Sequence, residues 1–388
     1  MIDFPAPEPA AQKLSAALSS VICEDIADSN GSLPFARYME RCLYEPGLGY
    51  YSAGLQKFGS GGDFVTAPEV SPLFGQCIAR SCSAVLESLG GGDILEFGAG
   101  SGRLALDLLT ELERLDALPL RYLILERSAE LRQRQQHALR EHSPQLFDRV
   151  SWIDVLPGAD FRGVMLANEV LDAMAVERFQ WDGETARLYH VAFDGERFHW
   201  QLLDTQDDAT QRIAALCAEC DLPAGYISEI NAGLVAWLQG VGERLQQGLL
   251  LLIDYGYPRH EYYHPQHGSG TLMCHYRQRA HDDPFLWPGL QDITAHVDFT
   301  AVAEAAVAAG LDVSGYTTQA GFLLDSGLDE LLQAAVPGDS MSYMQLAQQA
   351  KTLILPGEMG ERFKCIALTR GLGIDIPGFR LQDYRNRL

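Results

Sequence analysis

The sequence predicts an α/β protein built on a largely parallel sheet. From residue 93 onward, short apolar stretches alternate with amphipathic helical stretches, which is the pattern of strand–helix–strand units. Several of the apolar stretches end in glycines or acidic residues, as strands do at the ligand-binding edge of such a sheet. The chain has 388 residues, of which 47% are hydrophobic and 21% charged, so it can form a large buried core.

Residues 1–90 are predicted to form an N-terminal helical segment with a covering loop. The predicted elements are helices over 11–27 and 33–44, a glycine-rich loop over 59–64, and a helix from Thr66 to about Leu89. Thr66 is the predicted N-cap of that last helix, and Pro68 lies in its first turn.

Residues 91–370 are predicted to form the main domain, and residues 371–388 a C-terminal tail. The predicted strands of the main domain are Asp93–Phe97, Tyr122–Glu126, Val150–Ile153, Gly163–Ala167, Leu249–Asp254, Leu311–Thr317 and Phe363–Thr369. Three insertions interrupt the alternation: an antiparallel β excursion over 177–204, a long ordered loop over 255–298, and helices over 318–352. Long loops in compact domains often form lids or substrate walls.

The amino-acid composition indicates which kinds of partner the protein is expected to bind. The net charge of −23 disfavours nucleic-acid binding and favours a basic protein segment or a cationic small molecule. No apolar run is long enough to cross a bilayer, and the cysteines and histidines lack a metal-ligand spacing. Residues 1–10 contain acids and prolines but no arginine, unlike a mitochondrial transit peptide. The sequence therefore predicts a cytoplasmic protein that binds no metal, membrane or nucleic acid.

A strand followed by a glycine-rich turn carries the most informative motif. Gly98, Gly100 and Gly102 have the spacing G-x-G-x-G, whereas the dinucleotide fingerprint would need a glycine where Arg103 stands. Glu96 precedes the turn, and its carboxylate would suit a ligand with an ammonium or sulfonium group better than a phosphate. An ordinary β–α turn is the structural alternative for this motif.

The ends of the next two strands add two further acids. Glu126 ends the second strand, where a carboxylate can accept hydrogen bonds from both hydroxyls of a ribose. Since no phosphate-binding glycine pattern is present, S-adenosylmethionine, a nucleoside with a sulfonium and no phosphate, fits these features best. Asp154 follows the third strand and could bind the adenine amino group, although a turn aspartate is an equally good interpretation.

Polar residues also follow the fourth and fifth strands. Asn168, Glu169 and Asp172 come directly after an apolar strand, at the edge where the ligand crevice of such a sheet lies. Buried polar groups are costly unless they are paired or used. We therefore interpret these three residues as catalytic candidates, with a structural capping network as the alternative. Asp254 ends the fifth strand in the same way, and its role is left open.

Five segments of the sequence resemble the MidA family, which includes the mitochondrial complex I assembly factor 7, a protein arginine methyltransferase. The resemblance extends from about Pro34 to Arg370 and rests on residues 62–75, 167–173, 253–256, 291–299 and 359–364. It implies a class I methyltransferase (Rossmann-like) fold, with a seven-stranded sheet whose last strand is antiparallel. It also implies S-adenosylmethionine as methyl donor, with the cofactor loop at the three glycines above and the ribose-binding acid at Glu126. Thr66, next to the covering loop, is included among the predicted cofactor-binding residues.

The resemblance further implies a protein substrate with a target arginine, as in a complex I subunit for the mitochondrial members. A guanidinium is protonated at neutral pH, so carboxylates must orient it and leave one nitrogen lone pair free. Well-known arginine methyltransferases use two glutamates in one loop after the fourth strand. This chain instead has Glu169, the first catalytic candidate, and Asp172, the second, with Asn168 beside them. His296 and Asp298 are candidates for the acceptor side or for structural roles.

Two other classes of function remain as alternatives. One is an NAD-dependent oxidoreductase, which Arg103 disfavours. The other is a non-catalytic assembly factor that keeps the fold and acts as a binding platform. The exposed edge of the excursion over 177–204 could also pair with a second copy to form a homodimer.

Overall fold

The computed structural model describes residues 4–53, 66–205, 208–334 and 340–388. The glycine-rich loop predicted over 59–64 lies outside these residues. The described helices, in chain order, are α1 (Pro9–Asp28), α2 (Phe35–Tyr44), α3 (Ala67–Val70), α4 (Pro72–Leu89), α5 (Arg103–Arg114), α6 (Ala129–His142), α7 (Asp208–Glu219), α8 (Leu234–Gly242), α9 (Arg259–Tyr262), α10 (Phe299–Ala308), α11 (Gln319–Asp325), α12 (Leu328–Ala334) and α13 (Ser340–Ile354).

The described strands fall into three sheets. In chain order they are β1 (Leu33–Pro34), β2 (Asp93–Phe97), β3 (Tyr122–Leu125), β4 (Val150–Ile153), β5 (Phe161–Asn168), β6 (Glu177–Trp181), β7 (Ala186–Phe193), β8 (Phe198–Leu203), β9 (Ile227–Ile230), β10 (Leu245–Tyr257), β11 (Met273–Tyr276), β12 (Arg279–His281), β13 (Asp292–Thr294), β14 (Val297–Asp298), β15 (Asp312–Thr318) and β16 (Phe363–Arg370).

The main sheet has the strand order β4-β3-β2-β5-β10-β16-β15. All neighbours are parallel except β16, which is antiparallel to β10 and to β15. This order and the single antiparallel strand are those of the class I methyltransferase fold, so the fold predicted from the sequence is confirmed. Each of the seven strands predicted for this sheet is present, with ends that differ by a few residues.

Both faces of the main sheet are buried, because consecutive side chains of a strand point to opposite faces. Ile94 and Leu251 belong to a core cluster that includes helices α4 and α5. Their chain neighbours Leu95 and Leu252 belong to a second cluster that includes α8 and α10. The C-terminal tail packs on the same layers, since Phe379 is buried in the first of these clusters.

The helix predicted from Thr66 to Leu89 is two helices, α3 and α4. Ser71 separates them in an extended conformation with φ −160° and ψ 142°, and its hydroxyl accepts a hydrogen bond from the backbone N–H of Leu73 at 3.4 Å. Pro72 explains the break, because proline disfavours helical backbone in the preceding residue. Thr66 occupies the N-cap position of α3, as predicted, but its side chain makes no capping hydrogen bond.

The insertions build two further sheets around the N-terminal helices. Strands β6, β7 and β8 form the antiparallel excursion, and β1 and β9 complete that sheet. The segment 255–298 is more regular than the predicted long loop, because it contains α9, β14 and the three-stranded antiparallel sheet β12-β11-β13. These strands have only three or four residues, and Cys274 and Ile293 bury one face of them against α1 and α2. This packing comes from distant parts of the chain, so local sequence could not predict it.

Two features do not occur in the part of the chain that the structure describes, a membrane-spanning helix and a metal-binding cluster. No helix among the described residues combines the length and the apolar character that a membrane span needs. In the same part of the chain, no group of three or more His, Cys, Asp and Glu side chains is arranged to hold a metal ion.

Candidate functional site

A cavity of about 1420 Å³ lies at the carboxyl ends of β2, β3, β5 and β10. In the order of the sheet, β3 and β4 lie on one side of β2 and the next strand in the chain, β5, lies on the other side. Ligands bind at this switch point in open α/β sheets. The N-terminal turn at 44–52, the three-stranded sheet and the loop at 357–363 complete the walls.

The glycine turn after β2 lines one end of the cavity through two of its three glycines. Gly98 and Gly100 have φ of 62° and 53°, a conformation in which glycine has no steric penalty, and both line the cavity. Gly102 has φ 85° but lies outside the lining. A Cβ at Gly102 would lie 3.2 Å from Cγ of Gln135 on α6. The structure thus explains the glycine at position 102 by the close packing of α5 on α6.

Glu126 follows β3, and its carboxylate is held in the cavity wall by two hydrogen bonds. The backbone N–H of Ser128 donates to Oε1 at 2.9 Å, and Nε2 of Gln135 donates to Oε2 at 3.1 Å. Burial raises the pKa of Glu126, while these two donors favour its charged form. The carboxylate is therefore fixed at the end of β3, the position that the sequence analysis assigned to ribose binding.

Gln135 connects the elements around this carboxylate, and the sequence analysis missed it. Besides Glu126, its side-chain amide donates to the carbonyl of Gly100 at 2.9 Å and accepts from the indole N–H of Trp152 at 2.8 Å. Gln135 is fully buried and occupies the stripe of α6 that Leu131 and Leu139 also occupy. A glutamine on an otherwise apolar stripe was the available signal.

Gln135→Leu is expected to weaken both folding and cofactor binding. The change leaves the partners of the amide without hydrogen bonds, and each unsatisfied buried group costs roughly 1–3 kcal/mol. We expect the free energy of unfolding to fall by at least about 2 kcal/mol, measured by urea denaturation. Gln133→Leu is the matched control, because Gln133 is exposed on the same helix. Equal stabilities of the two variants would contradict this role of Gln135.

Three other residues of the predicted cofactor site differ in their placement. Glu96 lines the cavity and accepts a hydrogen bond from the hydroxyl of Tyr122 at 2.7 Å, and burial raises its pKa to about 7. Thr66 also lines the cavity. Asp154 does not: its side chain is 82% exposed and pairs with Arg132 at 2.5 Å. The structure thus does not bring Asp154 to the cavity, and its assignment to adenine has no geometric support.

The three catalytic candidates come together at the carboxyl end of β5. Asn168, Glu169 and Asp172 all line the cavity. The amide of Asn168 donates to Oε1 of Glu169 at 3.1 Å. Glu169 has φ 53°, a left-handed conformation uncommon outside glycine, and its backbone N–H donates to the carbonyl of Ile253 at 2.9 Å. Such backbone conformations concentrate at functional sites.

Asp254, whose role the sequence left open, holds this loop in place. Its carboxylate accepts backbone N–H groups from Leu171 at 2.9 Å, Asp172 at 3.3 Å and Tyr255 at 2.9 Å. Asp254 is 1% exposed and is not part of the cavity lining. It therefore holds the loop after β5 in place from the neighbouring strand β10.

Three carboxylates thus lie close together, of which Asp172 and Asp254 are buried and Glu169 is partly buried. Burial, with a contribution from the charge of Asp172, raises the pKa of Glu169 to about 8. Burial also raises the pKa of Asp172, against the effect of the Tyr255 hydroxyl, which donates to Oδ2 at 2.5 Å. The pKa of Asp254 is raised for the same reason, with the charges of Asp172 and Glu169 adding to it. The group favours either protons or a bound cation.

Three buried polar atoms along this part of the cavity have no hydrogen-bond partner among the described residues. They are Oδ1 of Asn168, Oδ1 of Asp172 and Nδ1 of His296. Buried polar atoms in folded proteins are nearly always paired, so several such atoms lining one cavity indicate a site built for a ligand.

Aromatic rings form the wall next to the acids. Tyr255 and Tyr257 both line the cavity, and the ring of His296 packs edge-on against each of them at 5.3 Å. Burial lowers the pKa of His296 to about 4, so the ring is neutral at physiological pH. Asp298 lies outside the lining, caps α10 through the N–H groups of Thr300 and Ala301, and is therefore structural.

Comparisons with known proteins give relatives over most of the chain. The zebrafish (Danio rerio) protein arginine methyltransferase NDUFAF7, mitochondrial, is 29% identical over 373 residues, covering 87% of this chain and 83% of its own. The Homo sapiens protein of the same name is 26% identical, with 92% and 83% covered. A crystal structure from Burkholderia thailandensis with S-adenosyl-homocysteine bound is 44% identical, covers 100% of both chains and has a TM-score of 0.95.

One prediction is overturned by these relatives. The sequence analysis predicted a cytoplasmic protein, whereas the curated relatives are named mitochondrial proteins. The prediction of a cytoplasmic location is therefore wrong. Absence of arginine from residues 1–10 was too weak a signal, because it concerns only a few residues at one end of the chain.

The family itself is identified by a family model that covers most strands of the main sheet. The model described as putative S-adenosyl-L-methionine-dependent methyltransferase matches residues 77–317, more than half of the chain. The match includes the glycine turn, Glu126 and the acidic loop after β5. The resemblance to MidA proteins is thereby confirmed, and the chain belongs to this family of S-adenosylmethionine-dependent methyltransferases.

Proposed function

We propose that this methyltransferase modifies an arginine side chain of a protein substrate. The observation that carries the proposal is the pair of cavity carboxylates, Glu169 and Asp172, on the loop after β5. A guanidinium is a permanent cation, and its N–H groups match carboxylates in geometry and charge. The names of the curated relatives, protein arginine methyltransferases, support the same acceptor.

We assign one end of the cavity to the methyl donor and the other end to the arginine acceptor. S-adenosylmethionine supplies an electrophilic methyl group bonded to a sulfonium. Glu126 and the glycine turn form the end that we assign to this cofactor, and buried Glu96 lies beside the turn. Glu169 and Asp172 form the acceptor end, where they would hold the guanidinium so that one nitrogen faces the cofactor.

Protons must also balance. A protonated guanidinium that gains a methyl group and remains a monocation releases one proton. Glu169 is suited to accept that proton, because its pKa is raised to about 8 by burial and by the charge of Asp172. Asn168, which donates to Glu169 at 3.1 Å, would keep the carboxylate oriented during the transfer.

The direct test is to identify the methylated residue. The purified protein is incubated with methyl-labelled S-adenosylmethionine and with extract of cells that lack the protein, and the labelled protein is hydrolysed to amino acids. We expect the label in methylarginine. Label in another amino acid, or in a small molecule, would refute arginine as the acceptor. If no product is labelled, this result would instead favour a binding platform over an enzyme.

The pH dependence of turnover is expected to report the buried acids. The carboxylate of Glu169 is neutral below its raised pKa of about 8 and charged above it. If the charged form binds and orients the substrate, kcat/KM rises from about pH 6 to about pH 9, because arginine stays protonated throughout. The apparent midpoint belongs to the coupled group of Glu169, Asp172 and Asp254. A flat profile over this range would contradict the need for the charged form.

A further inference from the structure

The small sheet β11–β13 gives the cavity a wall that the class I fold itself lacks. Side chains of this sheet alternate between two faces. Those that line the cavity are Met273, His275, Ala280, Asp292 and Thr294. Between them, Cys274 and Ile293 point into the core with the N-terminal helices. The register, which pairs His275 with Asp292 and Cys274 with Ile293, fixes which residues share a face.

Asp292 is the acidic residue on this wall. It is 3% exposed and yet lines the cavity. The hydroxyl of Tyr51 donates to its Oδ1 at 3.1 Å, and the ring of Tyr51 stacks on that of Tyr44 with centroids 5.6 Å apart. The negative charge of Asp292 adds to the rise in the pKa of Glu169, so the two carboxylates act on each other.

We propose that Asp292 determines the specificity for a cationic acceptor, by binding the guanidinium of the target arginine from the wall next to the loop of Glu169. The two are joined by the backbone N–H of Ala295, which donates to the carbonyl of Asp172 at 3.1 Å. This inference rests on the proposed arginine methylation and deepens it. A guanidinium carries five N–H donors in one plane, more than a single carboxylate can accept. Carboxylates on two walls would therefore fix both the position and the plane of the group.

The surroundings of Asp292 suit the same ligand. Tyr44 and Tyr51 both line the cavity. The guanidinium of Arg127 lies 5.5 Å from the centroid of the Tyr44 ring, which shows that this aromatic wall accepts a guanidinium. A neutral isostere would leave the buried carboxylates without a compensating charge, which disfavours its binding. The site is thus expected to separate arginine from citrulline, which has the same shape without the charge.

The test measures binding and needs no turnover. The protein saturated with S-adenosyl-homocysteine is titrated with N-acetyl-arginine amide and with N-acetyl-citrulline amide, and affinities are taken from NMR line shapes. Wild type is expected to prefer the arginine compound. Asp292→Asn keeps an acceptor for Tyr51 but removes the charge, and it is expected to reduce that preference about tenfold to a hundredfold. Asp282→Asn, at an exposed site of the same insertion, is the matched control.

A second variant tests whether a loss of preference could come from misfolding alone. Tyr51→Phe keeps the ring but removes the hydrogen bond that orients Asp292, and a smaller loss of preference is expected. Unchanged affinity for S-adenosyl-homocysteine shows that each variant is folded. The proposal is overturned if Asp292→Asn retains the wild-type preference while Glu169→Gln loses it, and arginine methylation itself would still stand. If wild type shows no preference for the arginine compound, both proposals fail.

Discussion

Glu169→Gln is expected to reduce the rate of methyl transfer by about 10²- to 10³-fold while cofactor affinity stays near that of wild type. Glutamine keeps the length of the side chain and an oxygen that can accept from Asn168. It removes the negative charge that would orient the guanidinium and the group that would take up the released proton. Glu169 lies on the loop after β5 and not beside the glycine turn, so the cofactor end of the cavity is left intact.

The measurement separates the two effects. Single-turnover methylation of the labelled protein substrate gives the rate, and calorimetry with S-adenosyl-homocysteine gives the affinity. Glu243→Gln is the control, because it makes the same substitution at an exposed position just after α8. A variant at Glu169 that turns over within a few-fold of wild type would show that the acceptor binds elsewhere in the cavity.

Glu126→Ala is expected to weaken S-adenosyl-homocysteine binding by about 100-fold or more, since two hydrogen bonds to a charged group are worth roughly 1.5–3 kcal/mol each. The carboxylate is already oriented by the backbone of Ser128 and by Gln135, so little ordering is needed when a diol binds. Alanine also leaves these two donors without their acceptor, which adds a modest loss of stability.

Calorimetry with S-adenosyl-homocysteine tests this expectation. Glu126→Gln serves as an intermediate, because it keeps the size and one acceptor oxygen but not the charge, and its affinity is expected to lie between the two. Glu113→Ala, at an exposed site on α5, is the control for loss of a carboxylate. Unchanged affinity in Glu126→Ala would refute the assignment of this residue to the ribose.

Much of the cofactor end could be predicted from the sequence because its signals are local. A strand, a glycine turn and a helix follow one another within about a dozen residues, and the acid at the end of the next strand lies within 30 residues of Glu96. The spacing G-x-G-x-G predicted the turn. It did not separate the role of Gly102, which packs against Gln135, from that of Gly98 and Gly100, which line the cavity.

Other features depended on residues that are far apart in the chain. Asp292 lies 241 positions from Tyr51, its hydrogen-bond partner. Asp254 was a candidate without a role until the structure showed that it accepts the backbone N–H groups of Leu171 and Asp172, in the loop after β5, and of Tyr255 in its own strand. Asp154 follows a strand just as Glu126 does, but Arg132 holds its carboxylate outside the cavity. No spacing in the sequence distinguishes these cases.

The sequence by itself determined the strands of the main sheet, the glycine turn and the acids at the strand ends, because periodicity and backbone preferences act over a few neighbouring residues. Only the tertiary structure decided which acids share the cavity and which hold the backbone. It also made the segment 255–298 a wall of the cavity. The reason is that burial and charge coupling depend on which distant side chains meet, and they raise the pKa of Glu169. The register between β11 and β13 likewise sets the side of the sheet to which Asp292 points.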